Sequence, residues 1–259
     1  MTHTHPDHVG LAHKLIELTG APVMMHRDEV RQLAEIASSS GVRWADDALI
    51  AAGSPAELAS SIEQSFAEIR KSFRALEPDL VLTGGERIPS ALGPLELIWT
   101  RGHSPGHICI YAPQRRALFS GDQILQHITP NIGWQPDHDA LGEFLASLSR
   151  LAELDADLVL PSHGAPFRGH RDWIRDTIAH HATRCSQIEA ALADGPQTAH
   201  ALVGAIWSRP LSPFNYRFAV FELLAHLEYL KQRGRVEAGR TDHRLLWSVA
   251  KADKKSVHT

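Results

Sequence analysis

The chain opens with Met1-Thr-His-Thr-His-Pro-Asp-His8, which sets four candidate metal ligands, His3, His5, Asp7 and His8, within six positions. Imidazole and carboxylate are groups that zinc and similar borderline cations accept. In an extended segment, residues two apart point the same way, so His3 and His5 can share one ion. Pro6 suits the first turn of a helix, and a turn there swings Asp7 and His8 towards a second ion. The spacing therefore points to two adjacent metals. A histidine-rich start can also be an affinity tag or a solvated tail. Tags are usually contiguous histidines, however, and this stretch runs directly into an apolar helical pattern.

Three later segments bear on the same question: Thr100-Arg-Gly-His-Ser-Pro-Gly-His107, Phe119-Ser-Gly-Asp122 and Leu160-Pro-Ser-His-Gly164. Each places a His or Asp just after an apolar, strand-like run, and ligands at strand ends converge on one rim of a sheet. Together the four segments resemble the metallo-β-lactamase superfamily, in its dinuclear hydrolase branch that includes glyoxalase II. The family's His-x-His-x-Asp-His motif matches His3, His5, Asp7 and His8. Its third histidine, in a Gly-His pair, matches His107, its bridging aspartate Asp122 and its last histidine His163.

The resemblance implies an α/β fold, the αββα sandwich of that family. It also implies that His3, His5 and His107 hold one divalent ion, that Asp7, His8 and His163 hold a second, and that Asp122 bridges them. Asp7 is then the catalytic residue that orients the attacking water. A hydroxide shared by the two metals would attack an acyl or phosphoryl centre, with the oxyanion stabilised beside it. Zinc is the first expectation for both ions, and iron and manganese also suit these ligands. An aspartate at position 122 points away from the antibiotic-cleaving zinc enzymes of the family, whose ligand there is usually Cys. His103, four positions before His107, is expected to support a ligand through a hydrogen bond. Gly106 would let the backbone pass close to the metals. In the family the first motif follows a strand-rich segment, whereas here the chain begins at the motif. The sandwich is therefore expected to be N-terminally truncated, with a start codon placed too late, and a longer form is expected to be more stable and more active.

With 259 residues, 43% hydrophobic and 22% charged, the chain can bury a full core and divide into two domains. No apolar run approaches the ~20 residues that span a bilayer. Cys109 and Cys185 do not make a disulfide framework, and Cys109 lies in a strand pattern as a buried thiol. A reducing cytoplasm is the expected compartment.

Asp7 to Thr19 reads as one helix with an apolar stripe, stopped by Gly20, and Ala21 to Met25 as a short strand. His26 either lines the site or caps a helix over Asp28 to Ala37, which breaks at Ser38 to Gly41. Ser54 to Leu76 reads as a longer helix in which Ile62, Phe66, Ile69 and Phe73 recur at helical spacing, for core packing or to cover the metal rim. Leu80 to Trp99 reads as strands. The loop Ile124 to Asp139, with His127, Asn131, Trp134 and His138, is either a substrate-contacting or a structural loop. Helices follow over Leu141 to Leu154 and Trp173 to Leu192, the latter with His180 and His181 solvated, and a strand over Asp157 to Leu160 delivers His163.

A boundary falls near Asp194-Gly-Pro196, giving a metal-binding hydrolase domain over 1–194, a second domain over 195–250 and a tail over 251–259. Helices over Thr198 to Trp207 and Ala219 to Arg233, then a hairpin turning at Gly239, resemble a small winged-helix domain, which some proteins of this fold carry at the C-terminus. From Gly195 onward ten Lys/Arg face five Asp/Glu, a net of +5 in a chain that totals −4. That asymmetry permits nucleic-acid contact but is more often a solvated or subunit-facing surface. Three functions stay open: hydrolysis of a small-molecule thioester or ester, metal-dependent ribonuclease action using Lys231, Arg233 and Arg235, or non-catalytic metal binding.

Overall fold

The computed structural model describes residues 1–38, 43–70, 76–136 and 138–251. Phe73, the turn through Gly41 and the basic tail with Lys254 and Lys255 lie outside the described residues. Pro6–Val9 forms α1 and Ala12–Thr19 forms α2. The expected single helix is thus divided at Gly10 and Leu11, and of its apolar stripe only Val9 is buried, against Met25 and Leu33. Leu11, Leu15 and Leu18 are 80%, 62% and 71% exposed.

Met24–His26 is β1, which runs into α3 (Arg27–Ala37). The His26 ring caps α3, its Nδ1 accepting from the Asp28 N–H at 3.2 Å, and Asp28 and Glu29 favour the positive end of the helix. Helices α4 (Arg43–Ala51), absent from the sequence reading, and α5 (Ala56–Arg70) follow. Leu80–Leu82 is β2, paired in parallel with β1. Then come β3 (Arg87–Ile88), β4 (Leu95–Trp99), β5 (Ile108–Ala112) and β6 (Ala117–Gly121). After α6 (Ala140–Ala152), β7 (Leu158–Pro161) completes a five-stranded sheet of order β3-β4-β5-β6-β7, antiparallel except for the parallel β6–β7 pair.

Alternation along β5 explains the layering. Ile108 and Ile110 face Leu82, Leu97 and Met24, the cluster that joins the small sheet to the large one. Cys109 and Tyr111 face the other way, into the main core with Phe144, Leu148 and Leu151 of α6. Met25 and Leu33 pack α3 on the outer side of β1. The order is helix, sheet, sheet, helices. Each fully buried Leu or Phe of the core contributes about 1.5–3 kcal/mol.

Helix α7 (His170–Leu192) packs on α6. Contrary to the solvated reading, His181 is buried, with its Nδ1 3.1 Å from Nε2 of His226. Helices α8 (Ala199–Ile206) and α9 (Pro213–Gln232) precede the hairpin β8 (Val236–Thr241) and β9 (Arg244–Val249). Ser212 caps α9 and Pro213 starts it, so it begins six residues earlier than the apolar pattern suggested. The hairpin turns at Asp242, with φ 50°, rather than at Gly239, which pairs with Leu246 inside the ladder. Helix α9 packs on α5, α6, α7 and α8, and one cluster of buried residues runs from Ala45 to Trp247. Among the described residues no helix is long and apolar enough to cross a membrane.

Candidate metal centre

Strand direction brings the ligand-bearing segments to one rim. Antiparallel pairing puts the end of β4, the start of β5 and the end of β6 together, and the parallel β6–β7 pair adds the end of β7. His103 lies in the β4–β5 loop, His107 just before β5, Asp122 just after β6 and His163 just after β7. The N-terminal segment is tied to this rim, the Ile108 N–H donating to the Thr2 carbonyl at 3.0 Å. It delivers His3 and His5 before α1, and Asp7 and His8 within its first turn.

Two groups of donor atoms result, each lying within 4.8 Å of one another: His3, His5, His103 and Asp122, and Asp7, His8 and His163. In the first, Nε2 of His3 is 2.9 Å from Nδ1 of His5, and Nε2 of His103 is 3.3 and 3.1 Å from the same two atoms. In the second, Nε2 of His163 is 3.1 Å from Oδ2 of Asp7, and Nε2 of His8 is 3.6 Å from it. Asp122 joins them. Its Oδ1 is 3.4 Å from Nε2 of His8, and its Oδ2 is 3.5 Å from Nε2 of His163 and 3.6 Å from Nε2 of His103.

The donor set fits a cation. Burial above all, then the neighbouring rings, holds His3 far below the usual imidazole range and His5 at about 3, so both present lone pairs at neutral pH. Burial alone would raise the Asp122 carboxyl. The contact with His8 and the charges of His103, His8 and His163 outweigh it and set Asp122 at about 2. The His8 Nε2 and Asp122 Oδ1 atoms are buried without a hydrogen-bond partner. Three imidazole nitrogens turned towards one another beside a carboxylate are what a divalent ion satisfies.

The structure places His103 and His107 the other way round from the sequence expectation. The His107 ring uses both nitrogens within the protein. Nε2 accepts from the Asp122 N–H at 3.1 Å, so Nδ1 carries the proton, which it offers to Thr100 Oγ1 at 2.7 Å. His103 Nδ1 donates to the Asn131 carbonyl at 3.0 Å, leaving its Nε2 lone pair facing His3 and His5. Gly106 makes a close approach, but to His26 and Glu29 rather than to the ligand cluster. A Cβ there would sit 2.7 Å from His26 Nδ1 and 2.8 Å from Glu29 Cγ.

Glu29 is the residue that sequence reasoning passed over. Fully buried, it takes Thr4 N–H and Thr4 Oγ1 on Oε2, both at 2.8 Å, and Ser104 Oγ and Gly106 N–H on Oε1 at 2.6 and 2.7 Å. It thereby clamps the loop between His3 and His5 to the loop that holds His103. The only sequence signal was an acid one turn into a helix, which reads as an ordinary response to the helix dipole. Of the loop residues, Asn131 touches His103, His138 lies 3.4 Å from Arg101, and His127 is exposed. A separate open cavity of about 420 Å³, lined by Thr83, Arg87, Glu96, Trp99 and Arg150 among others, contains no residue of the histidine cluster.

The family model described as the metallo-beta-lactamase superfamily matches residues 1–163. The chain belongs to this superfamily. Its members are mostly hydrolases, and the sheet-on-sheet layering above is the family's α/β fold. A second model, the metallo-beta-lactamase-like C-terminal domain, matches residues 185–248. A solved metallo-beta-lactamase family protein, TTHA1429 of Thermus thermophilus, superposes with a TM-score of 0.80 at 32% identity, over 96% of this chain and 78% of that one. The acyl-coenzyme A thioesterase MBLAC2 of Bos taurus is 30% identical over 66% of this chain and 57% of its own length. The atrochrysone carboxyl ACP thioesterase of Aspergillus fumigatus is 27% identical over 43% of this chain and 38% of its own. The chain spans from about a third to a little over half the length of the curated relatives it matches.

Proposed function

We propose that this superfamily member is a metal-dependent hydrolase of small-molecule thioesters or esters, loaded with two divalent ions, zinc first among the candidates. The observation that carries the reading is the pair of donor groups sharing Asp122. His3, His5 and His103 would hold one ion and Asp7, His8 and His163 the other, with Asp122 between them and His107 fixing the Asp122 backbone. Such ions supply a water of lowered pKa and Lewis acidity towards an acyl carbonyl. Asp7, exposed like His163, would be placed to orient the attacking water. No Ser or Cys nucleophile is required.

Two further observations support a small acyl substrate. Phe66 of α5 stacks on Phe214 of α9 with ring centroids 5.2 Å apart, and Phe218 closes on both, making a half-exposed aromatic wall. The Arg217 guanidinium lies 4.2 Å over Phe66 and 4.6 Å over Phe221, on the helix whose Phe218 carbonyl binds Asn131 beside His103. An apolar wall with one guanidinium suits an acyl chain attached to an anionic carrier. The basic residues that favoured a ribonuclease are each matched by an acid: Lys231 with Glu228, Arg233 with Asp139 and Arg235 with Glu189. We assign residues 1–194 as the metal-holding part and 195–250 as a winged-helix-like part, on the order of two helices and a hairpin, the two sharing one buried core.

The test is turnover by the zinc-loaded chain of acyl-coenzyme A and S-acyl glutathione, beside RNA and an Asp122→Ala control. Thioester cleavage that disappears in the control and with a chelator is expected. RNA cleavage without thioester turnover, or thioester turnover indifferent to Asp122→Ala, would overturn the reading.

A further inference from the structure

The two amide protons of Asn131 are both spent on one face of α9. Its Nδ2 donates to the Phe218 carbonyl at 3.3 Å and to Glu222 Oε2 at 3.2 Å, groups one helical turn apart. The carbonyl of the same residue accepts the Nδ1 proton of His103 at 3.0 Å. Two hydrogen-bonded steps therefore lead from the C-terminal helix to an imidazole of the centre. The carbonyl also decides which nitrogen of His103 carries its proton, and so keeps Nε2 free to ligate.

We propose that Glu222 and Asn131 are positioning residues for His103, through which helix α9 sets the metal affinity of the centre. The inference rests on reading His103 as a ligand. Glu222 enters the chain of contacts as an acceptor, and that role needs an oxygen rather than a charge. Burial raises its carboxyl above the usual range, while Arg184 and the Asn131 amide pull it back, so the group is held among partners rather than in solvent. The neighbouring buried ring, His226, donates from Nδ1 to the Glu222 carbonyl at 2.7 Å and steadies the same turn.

The experiment titrates zinc into the metal-free full-length chain against a competing chelator, reading stoichiometry and affinity. Glu222→Ala is expected to weaken zinc binding about tenfold or more. Glu222→Gln, which keeps an acceptor oxygen, should stay within roughly threefold of the parent. Leu227→Val, on the buried side of the same helix, serves as a control for lost stability and should bind zinc like the parent. Glu222→Ala binding zinc as the parent does, or no worse than Leu227→Val, would overturn the inference. His103→Ala is run beside them. If it loses zinc while Glu222→Ala does not, the coupling alone fails. If His103→Ala keeps parental zinc affinity, the ligand reading fails first and takes the coupling with it.

Discussion

Glu29 Oε2 takes two hydrogen bonds from the single residue Thr4, from its backbone N–H and its hydroxyl, both at 2.8 Å. The other oxygen holds Ser104 and Gly106, so one carboxylate on α3 ties together the two loops that present His3, His5 and His103. Removing it strands three buried donors, the Thr4 and Gly106 N–H groups and the Ser104 hydroxyl, since the Thr4 hydroxyl keeps Gln32 Oε1 at 3.1 Å. Glu29→Ala is expected to cost about 3 kcal/mol or more in urea unfolding, because hydrogen bonds to a charged acceptor are lost and their donors left unpaired. It should also lower zinc stoichiometry. Glu29→Ala with parental stability and zinc content would show that the clamp is dispensable.

Zinc should stabilise the folded chain. At a free concentration 100 times its Kd, a ligand that binds only the folded state adds about 2.7 kcal/mol. A chelator should therefore lower the melting temperature of the loaded protein, and Asp122→Ala should remove most of that shift, since Asp122 touches both donor groups. Calorimetry with and without chelator measures it.

His103 and His107 should fail in different ways. His103→Ala is expected to lose zinc with little loss of stability. His107→Ala leaves the buried Asp122 N–H without its acceptor and should cost about 1–3 kcal/mol while more of the zinc is retained. Elemental analysis and urea unfolding of the two variants separate these outcomes.

The pair His181 and His226 makes stability fall in acid. Burial first, and the charge of the neighbouring groups second, lowers His181 to about 3. Burial likewise lowers His226 to about 4, partly offset by its bond to the Glu222 carbonyl. Both rings are neutral in the fold, whereas an unfolded histidine takes a proton near pH 6.5. Their contribution is thus fully present above about pH 6.5 and is lost progressively as pH falls towards 4 and 3, on the order of 2 kcal/mol per ring by pH 5. The double variant His181→Leu, His226→Leu should flatten the stability profile between pH 6.5 and 5 relative to the parent.

Arg217 should affect substrate binding rather than metal binding. On an anionic thioester such as acyl-coenzyme A, Arg217→Ala is expected to raise KM about tenfold with kcat little changed. A neutral acyl thioester should show no such difference, and zinc content should not move. Equal losses on both substrates would remove the charge-reading role.

Much of the centre was legible because its chemistry is written as spacing. His3, His5, Asp7 and His8 sit close together, and Asp122 and His163 follow apolar runs that do become β6 and β7. The layering was expected from the family resemblance alone, and the strand pattern around Cys109 foretold only that its thiol is buried. What spacing does not encode is which way a ring turns. His103 and His107 lie four residues apart around a loop, and only the Asp122 N–H and the Asn131 carbonyl decide which nitrogen faces the cluster. Glu29 was invisible for a related reason, since its partners are 25 and 75 residues away. The stripe Leu11, Leu15 and Leu18 has the period of a buried helix face yet lies exposed, because periodicity reports that a face is apolar and not what lies against it.

Two family models tile this chain as though it were two pieces, but the interior does not part where they do. Helix α9 lies against α5 and α6 through the same buried cluster that holds β5 and β7. Grafting the C-terminal piece onto a relative's sheet would therefore mean carrying the matching faces of α5 and α6 along with it. Drift in the far third of the chain should be answered by compensating changes in those helices, so heredity treats as one unit what sequence comparison divides.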